Sequence, residues 1–215
     1  MKIVEKEVKL GLENLILTNQ RAMFWPKEKS LILSDLHLGK TAHFRKHGIA
    51  LPSNLINVDL QRLSNLINHF SAQKLIIVGD FLHAGKNSEF ETFKNWKSQF
   101  KTLQIELIKG NHDRISNEYF KDLGILNIHS ILKMDTLLFS HEEVVVDKAF
   151  VISGHIHPGA CIKMTTRNTI KLPCYVVDQN QLILPAFSSF TGLDTKDYFP
   201  NSKKYVFNDD FIMEL

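Results

Sequence analysis

Asp35 and His37 stand two residues apart at the end of the apolar run Leu31-Ile32-Leu33. Alternate side chains of an extended backbone share one face. The carboxylate and the imidazole can therefore converge on one cation just past the carboxyl end of a buried strand, where open α/β sheets keep their ligands. Gly39 then lets the chain turn away. A single pair of this kind also arises by chance, as a turn-forming Asp beside a packed His, so repetition decides its meaning. Five apolar runs end by handing ligand-type residues to the following loop: Asp35 and His37, Asp80, Asn111 with His112, His141, and His155 with His157. Their separations are irregular, which excludes a repeat array and points to one site assembled from several strand ends.

The residue types suggest the chemistry. Two divalent cations about 3.5 to 4 Å apart can clamp the attacking and leaving oxygens of a phosphoryl centre. A carboxylate able to bridge them is then needed, and Asp80 is the best candidate. Mixed imidazole, carboxylate and carboxamide ligation with no thiolate nearby suits Mn, Fe or Zn better than copper or an iron–sulfur cluster. The spacing does not choose among those three.

The elements that must position these residues follow from hydrophobic periodicity and breaker residues. Two apolar pieces, Asn14–Thr18 and Ala22–Trp25, are separated by Asn19-Gln20 and stopped by Pro26, and they read as a hairpin. After the Leu31 strand comes a densely basic tract from Lys40 to Gly48, directly beside the proposed site. Ser53 is placed to cap a helix reaching about Ala72, with Ile56, Leu60, Leu63, Ile67 and Phe70 as its core stripe. The strand Lys74–Val78 ends in Gly79-Asp80, and a second helix opens with the capping box Ser88-x-x-Glu91 and turns Phe90, Phe93, Trp96 and Phe100 inward. Ile105–Ile108 is a further strand, and a short helix from about Asn117 stops at Gly124. Strand signals then dominate: Ile128–Leu132, Thr136–Phe139, Phe150–Ile152, Ile170–Val177, Gln181–Leu184 and Lys204–Phe207. Strand–helix–strand units followed by mostly strands imply two sheets packed face to face with helices outside.

Size and composition narrow the class further. A chain of 215 residues with 44% hydrophobic and 23% charged residues supports one sizeable core, so a single domain over 1–215 is expected. The alternating charged and apolar N-terminus lacks a signal-peptide core, and no apolar run approaches membrane-spanning length. Cys161 and Cys174 form no C-x-x-C and are too few for a disulfide framework; both read as small hydrophobes. These features favour a reducing cytoplasm. A net charge of +3 permits a polyanionic partner without requiring one.

The order Asp35-x-His37, Gly79-Asp80, Gly110-Asn111-His112-Asp113, His141, Gly154-His155-Ile156-His157 resembles the calcineurin-like metallophosphoesterase superfamily. The resemblance implies an α/β (α+β) fold, a four-layer αββα sandwich of two mixed β-sheets flanked by helices. It implies that Asp35, His37, Asp80 and His157 hold one metal and that Asp80, Asn111, His141 and His155 hold the other. His112 would be the acid for the leaving group, with Asp113 orienting it. Many relatives read G-D-x-x-D at the second motif, whereas Gly79-Asp80 is followed here by Phe81-Leu82-His83, a departure that loses no required ligand. The tracts Ser34–Lys40, Phe44-Arg45-x-x-Gly48-Ile49, Gly79–His83, Ser153–Pro158 and Leu184 to Gly192 are similar, more narrowly, to the ligase-associated DNA damage response endonucleases. That subfamily is encoded beside a DNA ligase, a helicase and an exonuclease and acts on DNA in the presence of manganese. The implied activity is that of a two-metal phosphodiesterase, a DNA endonuclease of repair using in-line attack by a metal-bridging hydroxide. Single-stranded DNA is its expected substrate, and a homodimer is compatible with the resemblance. A diesterase or phosphatase for a small nucleotide or metabolite is the rival enzyme, and a scaffold without catalysis the rival from another class.

Other residues receive plainer readings. Lys40, Arg45 and Arg114 are candidates to meet substrate phosphates, although Lys40, Arg45 and Lys46 also fit a solvated basic face. His43, His47, His69, His83 and His129 match no ligand position; of these only His83 is kept for a role beside the metals or the substrate. Phe187 and Phe190 could line the cleft but read first as packing.

Overall fold

The structure is a computed structural model that describes residues 1–40, 44, 48, 55–83, 88–164, 168–196 and 199–215. The first sheet runs in chain order through β1 (Glu5–Leu10), β2 (Glu13–Thr18), β3 (Met23–Trp25), β4 (Ser30–Leu33), β5 (Lys74–Val78), β6 (Gln104–Ile108) and β7 (Asn127–His129). It is antiparallel up to β4 and parallel from β4 to β7. The second sheet contains β8 (Ile131–Met134), β9 (Leu137–Ser140), β10 (Phe150–Ser153), β12 (Thr169–Val177), β13 (Gln181–Ile183), β14 (Lys203–Phe207) and β15 (Ile212–Glu214), with β11 (Gly159–Lys163) hydrogen-bonded to β12. Within it β9, β10 and β13 lie parallel.

The strands β4, β5 and β6 are apolar on both sides because both of their faces are covered. Leu31, Leu33, Leu75, Ile77 and Leu107 point to one face, where they meet α1 (Leu55–Phe70), α2 (Ser88–Gln99) and α3 (Asn117–Asp122). Their neighbours Ile32, Ile76, Val78 and Ile108 point to the other, where Phe139, Ile152, Tyr175 and Phe207 of the second sheet meet them. A one-residue slip of register would exchange the two sets. The mixed two-sheet sandwich is the expected α/β class. Among the described residues the three helices lie on the outer face of the first sheet, while the outer face of the second carries a smaller cluster of Ala160, Cys174, Val176, Ile183 and Val206.

The core stripe of α1 is buried as the spacing implies, at Ile56, Leu60, Leu63 and Ile67; the expected cap, Ser53, lies outside the described residues. The structure differs from the sequence reading in four places. β1 escaped notice because it carries Glu5, Lys6, Glu7 and Lys9 on an edge strand that is mostly solvent-exposed, so it has no apolar signature. Residues 128–132 read as one strand, yet a bend at Ser130 divides them into β7, which closes the first sheet, and β8, which opens the second. The short strands β11 and β15 were also not foreseen; among the described residues each pairs along one side only, with β12 and β14 respectively.

Candidate metal centre

The carboxyl ends of β4, β5 and β6 in one sheet and of β9 and β10 in the other converge. The loops after β4 and β5 remain paired beyond the strands themselves, through the Asp35 N–H to the Gly79 carbonyl (3.1 Å), the His37 N–H to the Asp80 carbonyl (2.9 Å) and the Leu38 N–H to the Phe81 carbonyl (2.8 Å). This pairing sets the first two motifs side by side. The third is tied to them by the His112 N–H, which donates to Asp80 Oδ1 at 3.0 Å. The second sheet is tied in by the His155 N–H, which donates to Asp35 Oδ2 at 3.1 Å.

Two groups of ligand atoms result, Asp35 with His37 and His157, and Asp80 with His141 and His155. In the first, His37 Nε2 lies 3.1 Å from His157 Nε2, which lies 3.3 Å from Asp35 Oδ1. In the second, His141 Nε2 lies 3.4 Å from Asp80 Oδ1, 3.2 Å from His155 Nδ1 and 3.0 Å from Asn111 Oδ1. Ligand atoms at about 2.1 Å from a shared cation are about 3.0 Å apart at octahedral and about 3.4 Å apart at tetrahedral angles, so these spacings match the edges of coordination polyhedra. Asp35 Oδ1 is buried and, among the described residues, accepts no hydrogen bond. A buried carboxylate oxygen left without a partner is costly unless a cation completes it, and so the residues fit divalent metals.

The electrostatics differ between the two groups. Burial, only partly opposed by Asp35, pulls His37 down to about 3, leaving a neutral imidazole with a lone pair to give. Burial also acts to lower His141, but its hydrogen bond to Asp80 and the charges of Asp35 and Asp80 outweigh it and raise it to about 8. His141 Nδ1 faces the Val78 carbonyl at 3.2 Å, which directs Nε2 into the second group. Burial pushes Asp80 up, yet the hydrogen bond and charge of His141 and the His112 N–H hold it near 2.

The backbone is strained where the candidate ligands sit. Asp35 (φ 55°), His37 (φ 52°), Asp80 (φ 46°), His155 (φ 71°) and His157 (φ 55°) are all left-handed. Such a conformation costs a residue with a side chain about 1–3 kcal/mol and clusters at functional sites. Two motif glycines have a separate reason. A Cβ on Gly79 (φ 79°) would stand 2.0 Å from His141 Nδ1, and one on Gly110 would stand 2.2 Å from Asp80 Oδ1.

All seven ligand candidates are thus brought together. His112 is half-exposed at their edge, its Nε2 4.0 Å from Asp80 Oδ2. The expectation that Asp113 orients the His112 ring needs correction. Its carboxylate, 1% exposed, accepts backbone N–H groups from Gly110 (2.8 Å), Leu82 (2.8 Å) and Phe81 (3.3 Å), so it clamps the second motif to the third instead. Burial, only partly relieved by these hydrogen bonds, raises Asp113 to about 6. Burial lowers half-buried Lys40, opposed by the charges of Asp35 and Asp80. Arg114 is exposed and its Nε donates to the Asn111 carbonyl at 2.8 Å. Arg45, with Lys46, His43 and His47, lies outside the described residues.

Sequence reasoning missed a brace behind the site. Half-buried Arg62 of α1 bonds to Asp59 Oδ1 (2.8 Å) and the Phe187 carbonyl, with its guanidinium 4.4 Å above the Phe187 ring, while Arg21 donates to the Ala186 carbonyl at 3.0 Å. That segment in turn donates N–H groups from Phe187 to Ser34 (2.8 Å) and from Ser188 to Asp35 (3.2 Å). No periodicity marks an Arg on an apolar helix face as a support for a loop. Glu89 is a similar case, since its buried carboxylate accepts the Gly39 N–H at 2.7 Å.

The profile of the calcineurin-like phosphoesterase family matches residues 29–185. The chain belongs to that family. It is accordingly a metal-dependent phosphoester hydrolase. The crystal structure of Pseudomonas putida nuclease MPE superposes with a TM-score of 0.84 at 27% identity, covering 99% of this chain and 100% of that one. A phosphoesterase from E. coli, Yfce, matches at a TM-score of 0.42 and 15% identity over 84% of this chain and 88% of its own, and AQ665 from Aquifex aeolicus at 0.40 and 19% over 60% and 78%. A search of the curated proteins finds no matching sequence. No helix among the described residues is long and apolar enough to cross a membrane.

Proposed function

We propose that this calcineurin-like phosphoesterase is a two-metal nuclease that hydrolyses phosphodiester bonds of DNA, single strands in particular, in repair. The observation that carries the reading is the end-to-end similarity to a nuclease, over 99% of this chain and 100% of the other, joined to two ligand groups at the shared edge of the two sheets. Asp35, His37, Asp80 and His157 would hold one ion and Asp80, Asn111, His141 and His155 the other, with Asp80 between them. Manganese is the ion we favour, with iron and zinc as alternatives. Bound divalent ions supply charge neutralisation at phosphorus and a water activated at neutral pH.

The chain's own residues do the rest. His112, half-exposed beside Asp80, is placed to give a proton to the departing oxygen. Asp113 keeps His112 in place by clamping the backbone on either side of the site. Lys40 and Arg114 offer positive charge to phosphates, as Arg45 would from outside the described residues. A cytoplasmic site of action beside a DNA ligase, a helicase and an exonuclease, and self-association as a homodimer, belong to the same proposal.

Two measurements test it. Metal-free protein should be inert and recover with added divalent ions, manganese best, on single-stranded DNA and on a small chromogenic diester. Full activity in chelator, or action on monoesters alone, would overturn the reading. His112→Ala should keep both ions yet slow turnover by about 10²- to 10⁴-fold if proton transfer is its role. The loss should shrink for a nitrophenolate leaving group, which needs little protonation; an equal loss on good and poor leaving groups would make His112 a positioning residue.

A further inference from the structure

A row of aromatic rings starts at the first ligand group and leads away from it. His37 meets His112 and His83 edge-on, with ring centroids 5.8 and 5.6 Å apart and planes at 82° in both cases. His83 stacks on His112 at 5.3 Å with planes 23° apart, and Phe44 lies nearly parallel to His83 at 6.2 Å and 15°. Phe190 closes the row edge-on to Phe44 at 5.9 Å and 83°.

Phe44 and Phe190 are both half-buried, neither ring being closed off from solvent. The contrast with Phe187 is informative. Three positions earlier on the same segment, that ring is fully buried beneath the Arg62 guanidinium. The Pro185–Thr191 segment therefore buries one phenylalanine as support for the site and presents the other at the site's rim. Two partly open phenyl rings beside a phosphate-directed metal centre, with Lys40 three residues after His37 in the chain, form the combination by which proteins hold single-stranded nucleic acid: positive charge for the backbone and flat rings for the bases.

We propose that Phe44, backed by His83, and Phe190 form a stacking subsite for the nucleobase next to the scissile phosphate. The inference rests on the nuclease reading and deepens it. Every base has a π-face, so such a subsite is tolerant of sequence, yet it requires a base free of its duplex neighbours. The subsite thus supplies a physical reason for a preference for single strands that phosphate contacts alone would not give.

The test uses the full chain with manganese and two single-stranded substrates carrying equal numbers of phosphates, an oligothymidylate and a chain of abasic tetrahydrofuran units. Wild type should favour the base-bearing chain in kcat/KM by about 5- to 150-fold, the range that stacking of one base contributes. Phe44→Ala and Phe190→Ala should each bring that ratio toward one, while Phe190→Trp should retain it. If an alanine variant fails to fold, Phe190→Leu keeps apolar bulk without a flat ring and should lose the ratio in the same way. Equal cleavage of the two chains by wild type, or an unchanged ratio in both the Phe44 and Phe190 variants, would overturn the subsite and leave the nuclease reading standing. Cleavage of neither chain with any divalent ion would overturn the nuclease reading and the subsite with it.

Discussion

Asp80→Asn is expected to lower kcat/KM by about 10³-fold or more on DNA and on a small diester alike, since several kcal/mol of charge stabilisation at both ions is removed at once. The change keeps the side chain's size and one oxygen that can still accept the His112 N–H, now made at 3.0 Å. It removes the negative charge that acts on His37 of the first ligand group and on His141 of the second. Metal counting should then show fewer than two ions per chain. Asp35→Asn, which changes a candidate ligand of the first group only, should harm less. Two fully occupied sites in the Asp80→Asn protein would refute a shared carboxylate.

The second large effect is expected at a residue with no chemistry of its own. Gly79→Ala asks a residue with a Cβ to adopt φ 79° and drives that carbon to 2.0 Å from His141 Nδ1, where the imidazole is held by the Val78 carbonyl. Strain and overpacking of this kind cost about 2–4 kcal/mol together. Melting temperature should fall by roughly 5–15 °C for a chain of this size. His141 must also leave its position, so activity should fall at least as far as in His141→Ala. Gly192→Ala is the matched control, because a Cβ there meets nothing within 4 Å. It should stay within about 0.5 kcal/mol of wild type by denaturant unfolding. Equal stability of the two variants would mean that the close approach at Gly79 relaxes without cost.

Much of the candidate site was legible in the sequence because each candidate ligand lies at the end of an apolar run, where burial and ligand chemistry meet in a few consecutive residues. Asp35-x-His37 after Leu31-Ile32-Leu33 is the clearest instance. The buried stripe of α1 was legible for the same reason, since a period read over neighbours is a local property. Asp113 shows where that reasoning stops. An aspartate beside a histidine is an equally good partner for a ring or for three backbone N–H groups, and only the placement of Phe81 and Leu82 against Gly110 selects the second.

By itself, then, the sequence determined the candidate ligand types, their order and the sandwich class, through residue chemistry and periods spanning a few residues, and it carried the family through the resemblance of its ordered motifs. The tertiary structure decided which ligands share a group, because that depends on β9 and β10 of one sheet ending opposite β4 and β5 of the other. It decided that the chain changes sheets at Ser130, since a single bend in a continuous strand-like run leaves no mark in composition. It also decided that Phe44 and Phe190 stand ring to ring beside His83. Their segments are far apart in the chain and are brought together by the Arg62 and Ser34 contacts that hold the Pro185–Thr191 segment against the strand ends. Long-range packing of this kind is set by surfaces rather than by neighbours, and no local spacing encodes it.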